Sequence, residues 1–136
     1  MRSFVIIADV NFNQELRNMP ENSAIDNLRS MSMFVKSGRR IVRIRFSEIE
    51  YIEAIDGNLN FHTTENKQPI TAKLILKKLE DRLPPKQFMR IHRSYIVNLN
   101  RVNIIEDNRI AFENDVYIPI SIPYREAFQK WVESNF

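Results

Sequence analysis

Apolar and polar residues alternate along most of the chain after residue 33, with the two-residue period that is typical of half-buried β-strands. Between Phe34 and Phe46 the alternation is interrupted at Gly38, which predicts a hairpin. A second hairpin is predicted from Ile49–Ile55 and Leu59–Thr64, because turn residues separate these two segments. The residues of the second hairpin expected to enter the core are Ile49, Tyr51 or Ile52, and Ile55.

One internal segment instead has the three- to four-residue period of a helix. Thr71 is a suitable N-cap for a helix over Ala72–Leu83, and Pro84 and Pro85 are expected to end it because proline cannot continue the backbone ladder. The apolar stripe of this predicted helix comprises Leu74 or Ile75, Leu76, Leu79 and Leu83.

Short strands dominate the rest of the chain. Three are predicted at Val102–Glu106, Arg109–Phe112 and Val116–Ile120, and Pro123 opens a final helix that runs to about Ser134. The apolar side of that helix comprises Tyr124, Phe128, Trp131 and Val132. The pattern therefore predicts a mainly β fold of small antiparallel sheets, with one short internal helix and a C-terminal helix.

The first 32 residues differ from the remainder. Asparagine and proline interrupt this stretch, although Phe4–Val10 could form a short strand and 26–33 a partial helix. We interpret residues 1–32 as a partly ordered leader or linker and residues 33–136 as one folded domain, which is long enough to bury a core.

Composition excludes several classes of function. The chain has no cysteine and only two histidines, His62 and His92, so a thiol nucleophile and a cysteine-based zinc site are excluded. His62 beside Glu53 or Glu65, and Ser94 beside His92, lack a third catalytic partner at a recognisable spacing. We therefore predict a protein that is not an enzyme and needs no cofactor or metal.

The distribution of charged residues along the chain is more informative than the net charge. The net charge is +3, and residues 36–46 contain five basic side chains and no acidic one. This stretch forms either a basic rim that contacts nucleic acid or a solvated hairpin face. No segment approaches the roughly 18 consecutive apolar residues of a membrane helix, so we expect no membrane partner, and the lack of cysteine fits a cytoplasmic protein.

The strongest functional signal lies in residues 87–98. Arg90, His92, Arg93 and Ser94 fall between apolar flanks, and arginine supplies a planar fork of donors suited to phosphate or guanine. The alternative is an ordinary strand with a solvated polar face. The run from Phe88 to Asn98 resembles the signature segment of LytTR-type DNA-binding domains, the output domains of many bacterial response regulators.

The resemblance extends over about residues 34–130 and implies an elongated arrangement of small antiparallel β-sheets. In this family, loops rather than a recognition helix enter successive major grooves. By position, the resemblance implies base contacts from Asn58 or Asn60 and from Arg93, although Asn58 could instead serve only its turn. The expected phosphate contacts or loop supports are Arg90, His92, Ser94 and Ser121.

The third reading position departs from the family pattern. Family members commonly place an arginine just after the serine that corresponds to Ser121, but Ile122 and Pro123 stand there in this chain. Arg125 is the nearest substitute for a base contact. The departure places ordinary sequence specificity in question, but not the fold.

The resemblance implies a bacterial transcription regulator of a two-component system, or its output domain. Its expected partners are double-stranded DNA with repeated half-sites, bound by pairs of protomers, and a receiver domain or sensor kinase. One alternative is a protein-interaction module that keeps the fold with weak or no DNA binding. Another is an RNA binder that stacks bases on Tyr51, Phe61 and Tyr95.

Overall fold

A hairpin opens the part of the chain described by this computed structural model, which covers residues 31–113 and 115–136. Strands β1 (Ser32–Ser37) and β2 (Arg40–Arg45) pair in antiparallel fashion around Gly38, as predicted. Gly38 has a φ of 62°, a left-handed conformation that glycine adopts without steric cost. The predicted leader lies almost wholly outside the described residues, so its assignment remains a prediction.

The central sheet contains five antiparallel strands. They are β3 (Ile49–Ile55), β4 (Asn58–Thr63), β5 (Ile70–Ala72), β6 (Phe88–His92) and β7 (Tyr95–Asn98). Their spatial order is β5-β4-β3-β7-β6, so β3 and β7 are direct neighbours. Because Glu53 near the end of β3 is opposite Tyr95 at the start of β7, the β3–β4 and β6–β7 turns lie at the same end of the sheet.

A third sheet and a helix complete the described chain. Strands β8 (Ile104–Glu106), β9 (Arg109–Phe112) and β10 (Val116–Pro119) pair in the order β10-β9-β8. The last helix spans Ile122–Ser134, begins one residue before the predicted Pro123, and ends at the predicted residue. The predicted mainly β architecture is thereby confirmed.

The internal helix is shorter than the sequence predicts. Helix α1 spans only Leu76–Glu80, and Thr71 lies in β5 instead of capping a helix. The Thr71 hydroxyl donates a 2.7 Å hydrogen bond to Oδ1 of Asn60 on the neighbouring strand. Sheet pairing therefore overrides the helical tendency of the sequence at this point. The C-terminal helix, Ile122–Ser134, is named α2 below.

Two hydrophobic cores cover opposite faces of the central sheet. Ile52 and Ile96 belong to the core beneath the β1–β2 hairpin and α1, whereas the adjacent Tyr51 and Val97 belong to the core beneath β8–β10 and α2. Adjacent strand residues point to opposite faces, so both faces of β3 and β7 are anchored. On α2, the predicted apolar side is confirmed, since Phe128 is buried and Tyr124, Trp131 and Val132 pack against the same core.

The expectation that Ile55 enters the core is wrong. Its side chain is 45% exposed, because β3 reaches beyond the core as it approaches its turn. On the predicted helical stripe, Leu74 packs against the core whereas Ile75 is 55% exposed. Both isoleucines lie close to the β3–β4 turn, beside Asp56 and Gly57.

Within residues 31–113 and 115–136, neither helix has the length and apolar character required to cross a membrane.

Candidate nucleic-acid interface

The signature segment forms a tight hairpin with Arg93 at its tip. His92 ends β6 and pairs with Tyr95, leaving Arg93 and Ser94 as the two residues of the turn. Arg93 is exposed, while His92 and Ser94 are half-buried. The backbone N–H of Ser94 donates a 3.0 Å hydrogen bond to Nδ1 of His92, so in the neutral imidazole the proton is on Nε2.

Arg90 stabilises this turn through hydrogen bonds to its backbone. Its guanidinium donates to the carbonyl oxygen of Arg93 at 2.6 Å and to that of His92 at 3.3 Å. It also donates to Oε1 of Glu80, at the end of α1, at 2.7 Å. Arginine suits this position because its planar fork can address several acceptors at once. The three contacts couple the conformation of the turn to the position of α1.

The β3–β4 turn lies beside the β6–β7 turn. The backbone N–H of Ala54 donates to the carbonyl oxygen of Ser94 at 2.8 Å, which holds the two turns together. Asp56 and Gly57 form the first turn with φ angles of 50° and 77°, as expected for a two-residue hairpin turn. Asn58 begins β4 immediately afterwards and is half-buried.

A shallow depression of about 320 Å³ joins the two turns. Asn58, Arg90 and Arg93 all line it, together with Lys77 from α1. The structure thus brings together the first and second predicted reading positions from separate hairpins. An amide and two guanidinium groups at one surface supply hydrogen-bond donors for base edges or phosphate oxygens.

Asn60 and Arg125 lie apart from that depression. Asn60 is committed to Thr71 within the sheet, as described above. The Nε of Arg125 donates to the carbonyl oxygen of Ile120 at 2.9 Å, and its side chain lines a different cavity, beside Phe128 and Val132. Of the two asparagines, Asn58 is therefore the one placed with Arg93.

Ser121 occupies the N-cap position of α2, close to the β6–β7 hairpin. Its backbone N–H donates to the carbonyl oxygen of Ile91 at 3.0 Å, and its hydroxyl is 3.5 Å from the same oxygen. This contact attaches the start of α2 to the end of β6. Ser121 is thus near the β6–β7 turn, but its predicted phosphate contact remains a prediction.

A cluster of polar side chains lies beneath the turns. Glu53 accepts hydrogen bonds from the Tyr95 hydroxyl at 3.1 Å and contacts Nε2 of His62 at 3.1 Å. Burial, followed by the Glu53 carboxylate, raises the pKa of Tyr95 above its ordinary value, so the hydroxyl stays protonated and donates. Tyr51 stacks on the His62 ring at 4.2 Å. Glu53 is thus a cross-link between β3, β4 and β7.

Sequence reasoning missed two charged residues of this region, Lys77 and Glu80. Both belong to α1, and nothing in their spacing from the signature segment indicates proximity. They reach the turns only because α1 packs beside the end of the sheet. Their involvement is a consequence of tertiary structure.

The described chain is thus a mainly β domain of small antiparallel sheets that presents an asparagine and two arginine side chains at two adjacent turns. A model of the LytTr DNA-binding domain family matches residues 39–133, and this chain belongs to that family. The family is a DNA-binding one and not a catalytic one.

Known relatives agree with this assignment. The sensory transduction protein LytT of Bacillus anthracis is 27% identical over 95 residues, which cover 66% of this chain and 38% of that protein. The LytT protein of Bacillus subtilis is 24% identical over 119 residues, covering 84% of this chain and 48% of the relative. This chain therefore spans less than half the length of these relatives.

A solved structure is also similar. It is the LytTr DNA-binding domain of a Bacillus cereus protein described as a methyl-accepting/DNA response regulator. The two share 27% sequence identity with a TM-score of 0.65, over 75% of this chain and 96% of the solved one. The match confirms the fold.

Proposed function

We propose that this chain binds double-stranded DNA in a sequence-specific manner and acts as the output domain of a bacterial transcription regulator. The observation that carries the proposal is the depression shared by Asn58 and Arg93. Two separate hairpins supply these side chains, and the Ala54–Ser94 backbone hydrogen bond joins the two hairpins close to their turns. We propose that these two turns are inserted together into one major groove, although the family resemblance implied that successive loops enter successive major grooves.

The chemistry assigns different roles to the residues at the turns. Arg93 is exposed at its tip and can present its fork to O6 and N7 of guanine, while the amide of Asn58 suits adenine. Arg90 is already bonded to the turn and to Glu80, so we assign it to supporting the loop. Ser121 and Lys77 are the proposed phosphate contacts near the same surface.

The names of the relatives support a regulatory setting. The LytT proteins are named as sensory transduction proteins, and this chain corresponds to less than half of their length. We propose that a receiver domain or sensor kinase controls the DNA-binding domain in the cytoplasm. Pairs of protomers on repeated half-sites complete the proposal, because doubling the contacts multiplies both affinity and specificity.

Titration of labelled promoter-length duplexes at two salt concentrations tests DNA binding directly. Phosphate contacts release counterions, so the logarithm of the binding constant should fall by about 0.9 per log unit of salt for each phosphate neutralised. A random-sequence duplex of the same length is the control, and it should bind more weakly. A binding constant that does not change with salt concentration, or no binding to duplex DNA at low salt, would contradict the proposal.

A protein-interaction module is the second candidate. It is favoured by the third reading position, where Ile122 is 75% exposed and Arg125 is bonded back to its own chain. If this candidate is right, an Arg93→Ala variant captures a protein partner as efficiently as the native chain, and neither protein binds duplex DNA.

The RNA-binding alternative fits the structure poorly. Phe61 is fully buried and Tyr51 is 9% exposed, so neither ring is available for a base to stack upon. Tyr95 is half-buried with its hydroxyl bonded to Glu53. Competition between single-stranded RNA and duplex DNA should therefore favour the duplex.

A further inference from the structure

Two exposed isoleucines line the depression between the turns. Ile55 is 45% exposed at the end of β3, and Ile75 is 55% exposed just before α1. Single exposed apolar side chains are ordinary on protein surfaces, but these two converge on one site with Asn58 and Arg93. Apolar side chains that converge in a recess bordered by polar groups indicate a binding surface.

The surroundings of these isoleucines select the occupant. Arg90, Arg93 and Lys77 line the same depression, and among the residues that the structure describes its one acidic lining residue is Asp56 in the β3–β4 turn. Arg90 is already paired with Glu80, but an aliphatic partner protein would leave Arg93 and Lys77 without counter-charges, whereas duplex DNA supplies phosphates for them. In the major groove, the apolar group that a base pair can present is the 5-methyl group of thymine.

We propose that Ile55 and Ile75 form an apolar contact site for the methyl group of a thymine next to the base that Arg93 reads. This inference rests on the proposed DNA binding and adds a second chemical element to it. Hydrogen bonds from Arg93 and Asn58 identify polar edges, and the isoleucines identify a methyl group. The preferred site then contains guanine and thymine at neighbouring positions.

The contact also explains why β-branched side chains suit these positions. Isoleucine is restricted at χ1, so its methyl groups are held in place with little loss of side-chain entropy. Ile75 has an extended backbone, with φ −104° and ψ 149°, and Ile55 pairs with Asn58 across the hairpin. Both side chains therefore project from backbone of extended conformation.

Replacement of thymine by deoxyuridine removes only the methyl group and provides the test. Duplexes selected from a random pool by the native chain are prepared with deoxyuridine at each thymine in turn. At one or more thymines beside an Arg93-dependent guanine, the native chain should lose about three- to fivefold in affinity, as expected for one buried methyl group. Ile55→Ala and Ile75→Ala should bind the thymine duplex more weakly and become insensitive to that replacement.

Ile41→Ala is the matched control, because Ile41 is 69% exposed on β2 and does not line the depression. It should keep the native sensitivity to deoxyuridine, and thermal unfolding should show that all three variants fold. Selected sites without thymine beside guanine would overturn the inference, as would variants at 55 and 75 that keep the native sensitivity. In either case Arg93-dependent duplex binding leaves the proposed function standing, whereas failure to bind any duplex overturns both.

Discussion

The guanidinium of Arg90 lies 2.7 Å from the carboxylate of Glu80, joining the strand that leads into the signature turn to the end of α1. The Glu80 side chain is 42% exposed and that of Arg90 is 25% exposed. An ion pair this accessible contributes little stability by itself, about 0.2 to 1 kcal/mol. Its importance is geometric, because the same guanidinium also binds two carbonyl oxygens of the turn.

Substitution of Arg90 should therefore impair selectivity more than charge loss alone explains. Arg90→Ala is expected to lower the free energy of unfolding by about 1 to 2 kcal/mol, since hydrogen bonds to the turn are lost. Arg90→Lys keeps the charge but cannot address three acceptors with a planar fork, so it should not restore selectivity. Binding of selected and random duplexes measures the effect.

Glu80→Gln provides the control for that experiment, because it removes the ion pair and leaves the bonds from Arg90 to the turn. Its selectivity should remain close to native. If Arg90→Lys discriminates between duplexes as well as the native chain, a positive charge alone suffices at this position and the positioning role is wrong.

Arg93→Ala tests base reading. We expect it to reduce the difference in binding free energy between selected and random duplexes by about 1 to 3 kcal/mol, the discrimination of one bidentate pair. Lys86→Ala removes the same charge beyond the other end of β6, a five-residue strand about 17 Å long. The control should retain full discrimination. Equal losses on both duplexes would mean that Arg93 contacts only phosphate.

Tyr51 predicts a dependence of stability on alkaline pH. Burial, and then the charges of Glu53, Tyr95 and Glu50, raises the pKa of Tyr51 to about 12, against about 10 in the unfolded chain. Between these two pH values the Tyr51 hydroxyl of the unfolded chain loses its proton before that of the folded chain. The stabilisation due to the raised pKa of Tyr51 is therefore complete below pH 10 and declines as the pH rises to about 12.

Urea unfolding of the native chain and Tyr51→Phe at pH 8 and pH 11 checks this effect. The variant should lose less stability between the two pH values than the native chain. Ionisation followed by ultraviolet absorbance gives an independent measurement of the tyrosine. A variant that loses as much stability as the native chain would show that Tyr51 does not contribute.

Asn98 is the polar residue at the centre of the described fold. It is fully buried, and its Nδ2 donates to the carbonyl oxygens of Phe46 at 3.0 Å and Ile49 at 2.8 Å. Asn98→Ala removes both of these hydrogen bonds from the core, and should lower the free energy of unfolding by about 2 to 4 kcal/mol. The exposed Asn100→Ala should change it by less than about 0.5 kcal/mol. Similar denaturation midpoints for the two variants would contradict this account.

Much of the fold was predictable because its signals are local. Gly38 and the Asp56–Gly57 pair marked two hairpins, and alternation marked the strands between them. The internal helix was not predictable in the same way. Thr71 has the chemistry of a helix cap, but pairing with β4 satisfies its hydroxyl and draws the segment into a strand.

In the candidate site, too, some residues could be predicted from local sequence and others depend on tertiary structure. The signature segment indicated Arg93 and Asn58, and the structure places both at one depression. Sequence alone could not choose between Asn58 and Asn60, since the choice depends on which one Thr71 engages. It also gave no sign that Lys77 or Ile75 lies at the site, because their positions follow from how α1 packs.

The two cores on opposite faces of the central sheet hold the strands in place without any contribution from the exposed turns. Tyr51 and Ile52 anchor β3 on both faces, while the exposed tip at Arg93 contributes nothing to either core. Evolution can therefore exchange the side chains at the tips without loosening the strands beneath them.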